Sequence, residues 1–322
     1  MFNAWIITRH TSLVYTEMYK TDEDMEELTY DRFDSNFYED LQLYKCFNEA
    51  GMNCDIIQIS QLRPMVNKKE NLTNLPHIAI TRFNVWDEKD VYVLKVLESK
   101  GVIVINNYKS HDLCSNKWFQ WEKLNSAGVS VPKTKLIHLY QYKEELSNNL
   151  TRDYINTIKF PLIVKPSNGS RGDNVHLCHS FDEIEKSLEK LIVAGYIQAV
   201  IQQYINTNDK GVISVFTMGG KAIMAQQRKS ISKNDIFISN FRENSIRRNY
   251  EITDGLQKLC TDACTALNNI DMTRMDVLHD GTNYVICEVN SPGSFVSFDI
   301  SLKTKFAKSA AEYSLGILQQ KI

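Results

Sequence analysis

Near the C-terminus, two runs rich in β-branched, aromatic and methionine residues close on a polar turn and carry three oxygen donors at fixed strand positions. The runs flank His279-Asp280-Gly281-Thr282-Asn283, and the donors are Asp276, Glu288 and Asn290. This pattern predicts a β-hairpin. Glu288 and Asn290 are two apart and share one strand face. Carboxylates with an amide carbonyl suit magnesium, a hard cation that keeps several waters and bridges to phosphates. Asn290-Ser291-Pro292-Gly293 then makes a sharp strand exit whose backbone amides can meet an anion. Register sets a condition on all this. A two-residue Asp280-Gly281 turn pairs Asp276 with Val285 and Met275 with Ile286, so that Asp276 faces away from Glu288. The donors converge only if the loop has an odd length or a strand carries a bulge. Otherwise the segment is a solvated hairpin with ordinary surface acids.

The hairpin is a small part of a chain of 322 residues, long enough for two or three subdomains. With 43% hydrophobic and 24% charged residues, the composition is that of an ordinary globular protein with a sizeable core. A net charge of −2 creates no field that favours nucleic acid or an anionic membrane, and neither is expected as a partner. Met1-Phe2-Asn3-Ala4-Trp5-Ile6-Ile7 reads as a strand, which argues against a signal peptide, and no run approaches a membrane span. The seven cysteines are scattered, odd in number and without a CxxC pair, as in a reducing, cytoplasmic setting. Cys260 and Cys264 fall on the core face of a helix. His176 and His179 point to opposite faces of a strand and do not share a metal.

Along the first third, strands at Trp5–Thr8, Asp55–Ile59, His77–Thr81 and Val102–Ile105 alternate with helices at Tyr38–Ala50 and Val91–Leu97. This rhythm predicts a parallel sheet. Residues 11–37 and 61–75 read as loops. Arg9 and Arg82 follow strand ends, where open α/β sheets place ligands, although each alone reads as a surface residue. A helix is expected to start at Ser110-His111-Asp112 and to continue through Lys117–Ser126. Residues 141–158 read as helix or loop. The strand Phe160–Pro166 carries Lys165, and the loop Ser167-Asn168-Gly169-Ser170-Arg171-Gly172-Asp173-Asn174 leads to the strand Val175–Cys178. Its small residues let backbone amides wrap phosphate oxygens, but it joins two strands and is not the strand–loop–helix phosphate motif. Further on lie a helix at Phe181–Ala194 capped by Ser180, a strand at Val200–Ile205 and a hairpin of Val212–Met218 with Lys221–Arg228. A helix at Asp254–Leu267 and a closing helix over 302–320 complete the pattern.

The order of these parts is specific: Lys165, a glycine-rich strand–strand flap, Gln202-Gln203-Tyr204-Ile205, Arg228, Asp276 and Glu288-x-Asn290. It resembles the ATP-grasp carboxylate–amine ligases, and among them the RimK-like glutamate ligases that modify ribosomal protein and related peptide or amino-acid carriers. The resemblance covers almost the whole chain. It implies an α/β (α+β) fold with an N-terminal parallel pre-ATP-grasp domain (1–111), a central flap domain (112–198) and a C-terminal antiparallel-sheet domain (199–322). It implies ATP and two magnesium ions as cofactors, with manganese as an alternative. Lys117 and Lys165 then serve the ATP phosphates, and Gly169, Ser170 and Gly172 form the phosphate flap. The backbone of Gln202, Gln203, Tyr204 and Ile205 reads adenine, with Gln203 standing where the family has glutamate. Arg228 lies near the transferring phosphoryl group. Asp276, Glu288 and Asn290 hold the metal, and Asn240 matches the asparagine of a family Arg-Ser-Asn element.

Two departures touch the acceptor side. The arginine of Arg-Ser-Asn is Ile238, and the family's Asp-Ile-Arg is Val212-Ile213-Ser214, with Arg242, Arg247 and Arg248 near enough in sequence to substitute. The implied reaction joins a carboxylate to an amine through an acyl phosphate, with an amino acid, a peptide or a protein tail as acceptor and a homo-oligomer as an open expectation. The alternatives are an ATP-binding regulatory or assembly module without ligation and a phosphotransferase on the same fold.

Overall fold

In the computed structural model, residues 1–9, 35–67, 74–83, 88–169, 172–208, 210–230 and 245–321 are described. Four short apolar strands, β1 (Asn3–Thr8), β2 (Asn53–Gln58), β3 (Ile78–Thr81) and β4 (Ile103–Ile105), pair in parallel in the order β2-β1-β3-β4. Helix α1 (Ser35–Glu49) covers one face through Leu43 and Phe47, which meet Ala4 and Ile6. Helices α2 (Ile59–Asn67) and α3 (Glu88–Ser99) cover the other, where Leu62, Val93 and Leu94 meet Ile7 and Ala79. A sheet buried on both faces calls for continuous apolar strands, and β3 is buried at all four positions.

Helix α2 corrects the expectation of a loop from residue 61. Ile59, Leu62 and Val66 recur at helical spacing and are buried, while Gln61, Arg63 and an internal Pro64 hide the pattern. Residues 68–73 and 10–34 lie outside the described residues, and the loop expected to run to 37 ends by Ser35, where α1 begins. The next helix also starts earlier than expected. Asn107 caps α4 (Tyr108–Ser115) by accepting from Ser110 N. Asn116 then breaks the helix and caps α5 (Lys117–Ser126) by accepting from Trp118 N and Phe119 N. Lys117 is therefore the first residue of a new helix.

The middle sheet is antiparallel in the order β5-β8-β6-β7, from β5 (Thr134–His138), β6 (Leu162–Pro166), β7 (His176–Cys178) and β8 (Gln198–Gln203). Helices α6 (Tyr142–Ser147), α7 (Asn149–Ile158) and α8 (Phe181–Val193) accompany it, the last capped by Ser180 as expected. Leu146, Ile155, Ile158, Ile184, Leu188 and Leu191 close its core.

The third sheet runs β11-β10-β9-β12-β13, from β9 (Val212–Met218), β10 (Lys221–Ser230), β11 (Ser245–Asn249), β12 (Met272–His279) and β13 (Tyr284–Asn290). Helix α9 (Asp254–Ala266) packs Leu256, Cys260, Ala263 and Cys264 against Val215, Met275, Val277 and Ile286 on one face. The closing helix is α11 (Phe306–Gln320), starting four residues later than expected, and a short α10 (Val296–Leu302) precedes it across a turn at Lys303, whose φ is 52°. Among the described residues no helix is long and apolar enough to cross a membrane.

The opposite face of this sheet shares a core with the N-terminal sheet. Phe216, Met218 and Met272 pack with Phe295, Phe298 and Phe306, and the cluster continues through Phe47 to Ala4 and Ile6. Phe216 is 1% exposed, with its ring centroid 4.1 Å from that of Phe306 and 6.0 Å from that of Phe298. Truncating it removes contacts on both sides of the junction. Phe216→Ala is expected to cost about 3–5 kcal/mol of unfolding free energy, measured as a lowered urea midpoint with fluorescence and circular dichroism moving together.

Candidate active site

The β12–β13 hairpin meets its register condition through a bulge. His279 pairs with Tyr284, so the loop has four residues, and Asp280 Oδ1 accepts from Thr282 N (2.8 Å) and Asn283 N (2.7 Å). An even loop alone would set Asp276 opposite Cys287. The register shifts instead between Asp276 and Val277: Val277 faces Ile286, Asp276 faces Glu288 and Arg274 faces Asn290. Cys287 is the extra residue. Directly opposed residues share a face, so Arg274, Asp276, Glu288 and Asn290 stand on one side of the sheet.

Helix α5 fixes the outer edge of β13. The buried Gln120 donates Nε2 to Val289 O (2.7 Å) and accepts from Val289 N (2.8 Å), acting as a short strand partner. One turn earlier, Lys117 Nζ lies 3.2 Å from Glu288 Oε1 and donates to Gly169 O at 2.7 Å. It thus touches both the hairpin and the glycine-rich loop. The sequence alone does not single out Gln120. Its signal is a polar residue four before Leu124, on the helix face that packs inward.

One cleft between the middle and third sheets is lined by Lys117, Lys165, Gly169, Gly172, Gln202, Gln203, Tyr204, Ile205, Arg228, Asp276 and Glu288. Pro132, Ile163, Val175 and Leu278 add apolar walls. Lys165 is buried on β6. Gln202 turns inward and donates to Thr134 Oγ1 (2.9 Å), while Gln203 N donates to Lys133 O (2.8 Å). Tyr204 and Ile205 lie beyond the end of β8, in the linker to β9. Asn290 stands on the site face but is not among the lining residues. Ser170, Arg242 and Asn240 lie outside the described residues.

Charge around Asp276 is dense. Its Oδ1 takes Arg228 Nη2 at 2.8 Å and Ser214 Oγ at 2.7 Å, with Arg274 Nε at 3.8 Å. Burial pushes this carboxyl up, but Arg228, then Arg274 and the Ser214 hydroxyl, outweigh it and hold it below the usual carboxylate range. Burial also lowers Arg228; Asp276 opposes that shift, and Arg274 and Arg247 add to it. Arg247 faces Arg228 across the β10–β11 pair. Ser214, where the resemblance led one to look for a substrate arginine, instead orients Asp276. Arg274 was missed because its role depends on the bulge that sets it opposite Asn290.

The N-terminal unit also reaches the site. Asn106 accepts from Met272 N (2.7 Å) and donates to Met272 O (2.6 Å) and Ser291 Oγ (2.8 Å). His111 Nδ1 lies 3.3 Å from Ser291 Oγ, and burial lowers this imidazole to about 3, so it is neutral. Arg82 is not a surface residue: it is 6% exposed and paired with Glu39, with Nε 3.4 Å from Asp40 Oδ1. Arg9 pairs with the buried Asp90, its Nε donating at 3.2 Å. Burial raises Asp40 to about 7 against the opposing pull of Arg82.

The donor set fits magnesium. Among the described residues no three His, Cys, Asp or Glu side chains form a metal cage. The hairpin offers two opposed carboxylates and a carboxamide, all hard oxygens, which suits an ion that completes its shell with water and phosphate.

A sequence model of the RimK-like ATP-grasp domain matches residues 114–313. The chain is 23% identical to β-citrylglutamate synthase B of Danio rerio over 310 residues, 91% of this chain and 74% of that protein. It is 24% identical to human N-acetylaspartylglutamate synthase A over 251 residues, 77% of this chain and 62% of that protein, so it spans less than two thirds of that relative. In fold it is similar to D-alanine–D-alanine ligase from Bacillus anthracis complexed with ATP, with a TM-score of 0.69, 17% identity and 100% of both chains covered.

Two stability measurements test these electrostatics. Asp276→Ala leaves Arg228 buried beside Arg274 and is expected to cost about 3–5 kcal/mol, whereas Glu288→Gln, at a 27% exposed side chain, is expected to cost under about 1 kcal/mol. The contribution of Asp276 is present above the ordinary carboxyl range and is lost as pH falls through its lowered pKa. Asp40 has the opposite sign. Its contribution is full below the ordinary carboxyl range and is lost as pH rises through about 7. Asp40→Asn should therefore be more stable than the parent at pH 8, by about 2–4 kcal/mol, with the gap closing towards pH 5 in thermal melts.

Proposed function

We propose, from the premise that the chain belongs to the RimK-like ATP-grasp family, that it joins a carboxylate to an amine through an acyl phosphate formed with ATP. ATP-grasp ligases form carbon–nitrogen bonds, and the chain is an enzyme of that class. One observation carries the finer reading: Asp276 and Glu288 oppose each other in a cleft that also holds Lys117, Lys165 and Arg228. Cations and carboxylates alternate there, in the pairs Lys117–Glu288 and Asp276–Arg228. Nucleotide phosphates can pair with the cations of such an alternation, and magnesium with its carboxylates.

In this reading a substrate carboxylate oxygen attacks the γ-phosphorus and ADP leaves. The amine nitrogen then attacks the acyl carbon, phosphate leaves and the nitrogen gives up a proton. Phosphoryl transfer asks mainly for positioning and charge neutralisation. Lys117 and Lys165 bind phosphate oxygens, and the amides of Gly169, Ser170 and Gly172 close over them. The backbone of Gln202 to Ile205 reads adenine in the apolar slot. Arg228 faces the transferred group. Asp276, Glu288 and Asn290 hold magnesium, as two ions or with manganese in its place, which when bound neutralises and polarises the phosphates. Arg274, beside Asn290, binds the substrate carboxylate in place of the absent family arginines. The flap excludes water that would hydrolyse the acyl phosphate. We further propose units of 1–111, 112–198 and 199–322, although β8 crosses the second boundary and pairs within the middle sheet, and a cytoplasmic setting in keeping with the free cysteines.

The products named for the two relatives both contain glutamate, which puts glutamate first among the amines to test. The assay is ADP release with ATP and magnesium, with and without a pool of amino acids, small carboxylic acids and peptides, and with mass spectrometry of the products. The expected result is pool-dependent ADP and a product equal to the two substrates minus water. Glu288→Gln should lower ADP formation at least 100-fold with its melting temperature unchanged. Unchanged ADP formation in a folded Glu288→Gln removes the metal assignment, and tight ATP binding without turnover under any pool favours a binding module.

A further inference from the structure

The strand exit that follows Asn290 is held from outside its own sheet. Glu39, on α1, is fully buried. Its Oε1 accepts from Ser294 Oγ (2.7 Å), Phe295 N (2.5 Å) and Val296 N (2.6 Å). Its Oε2 is paired with Arg82, whose Nη1 donates to Gly293 O (3.4 Å). One carboxylate and one guanidinium from the N-terminal unit thus take up four consecutive residues, 293–296. On the other side the exit is pressed against β12. A Cβ on Gly293 would stand 2.4 Å from Arg274 Cβ and 2.7 Å from Arg274 N, so only glycine allows this approach. The exit is therefore bounded on both flanks, and Asn290 ends the strand three residues before it.

We propose that Glu39, backed by Arg82, is a positioning residue for Asn290, so that the N-terminal unit sets the geometry of the metal site in the C-terminal sheet. The inference rests on reading Asp276, Glu288 and Asn290 as the magnesium site. The argument is one of rigidity. Asn290 is a neutral donor at a strand end: its Nδ2 donates to Arg274 O (3.4 Å) and its backbone carbonyl accepts from Thr273 Oγ1 (2.7 Å), but it is the last paired residue of β13, so the exit that follows also bears on its placement. Loops that carry ligands are held by hydrogen bonds further out, and removing such partners typically costs about 10–100-fold in metal affinity or activity. Asp276 and Glu288, by contrast, have paired residues on both sides of them in the ladder, and Gln120 holds the neighbouring Val289.

The test uses manganese as the probe. Bound Mn2+ is counted by electron paramagnetic resonance in the presence of ADP, alongside the magnesium dependence of ADP formation. Glu39→Gln keeps the shape and loses the charge. Its Mn2+ affinity should fall at least 10-fold and its half-saturating magnesium concentration should rise in step, with ADP binding in EDTA unchanged. Asp40→Asn is the control: Asp40 is buried beside the same Arg82 but has no bond to residues 293–296. It should shift stability and leave Mn2+ affinity at the parent value. If Glu39→Gln does not fold, Ser294→Ala removes one of the three donors and should weaken Mn2+ about 3-fold or more. Parent-like Mn2+ affinity in a folded Glu39→Gln, or in Ser294→Ala where Glu39→Gln does not fold, overturns the proposal and leaves the metal reading standing. Equal weakening in Asp40→Asn overturns it as well, because general loosening then explains the effect. Absence of Mn2+ binding in the parent protein overturns the metal reading and the proposal together.

Discussion

A single extra residue in one strand governs the chemistry of this molecule. Cys287 has no partner of its own in β12, and this bulge turns Asp276 from the wrong register into direct opposition with Glu288. It brings Glu288 and Asn290 onto the face where the β9 register already places Asp276 beside Ser214. Arg228 and Ser214 reach Asp276 from β10 and β9, Lys117 reaches Glu288 from α5, and Arg274 comes to face Asn290. A slip of one residue would send half of these groups to the α9 side, where Val277, Met275 and Ile286 pack, and would bury charge in an apolar core.

The bulge in turn depends on groups that hold β13 in place. Gln120 completes the outer edge of the strand at Val289, and Asn106 clamps β12 at Met272 from the parallel sheet. These two amides come from different units, and each makes the paired backbone bonds that a neighbouring strand would make. The shared core around Phe216, Phe295 and Phe306 adds non-directional cohesion to the same junction. The cleft thus lies between the middle and third sheets, so neither sheet alone contains a complete site.

The buried ion pairs serve placement more than stability. Taking Glu39, Asp40 and Arg82 out of water carries a desolvation cost that their mutual attraction only partly offsets, which the raised Asp40 carboxyl makes visible. At Arg228 burial also wins, whereas at Asp276 the neighbouring cations and the Ser214 hydroxyl outweigh it. Such groups fix direction at a point where an apolar contact would leave the chain free to slide.

Much of the fold was legible in the sequence because period and punctuation are local. The apolar runs of the parallel sheet, Ser180 as a cap, the Gly219-Gly220 hairpin and the donor triad all carry their signal within a few residues. The helix over Ile59–Asn67 was not legible, since Pro64 and polar neighbours mask a three-residue apolar stripe that only burial reveals. Nor could the helix start at Tyr108 be read, because Asn107 and Asn116 both cap and only packing decides which turn each one opens. Residue identity by itself determined which donors and cations the chain can bring to a site and in what order. Tertiary structure alone decided that Asp276 meets Glu288, that Ser214 and Arg274 join them, and that Arg82 leaves the surface for Glu39. Those outcomes depend on strand register and on contacts 43 and 62 residues apart, and no local pattern encodes either.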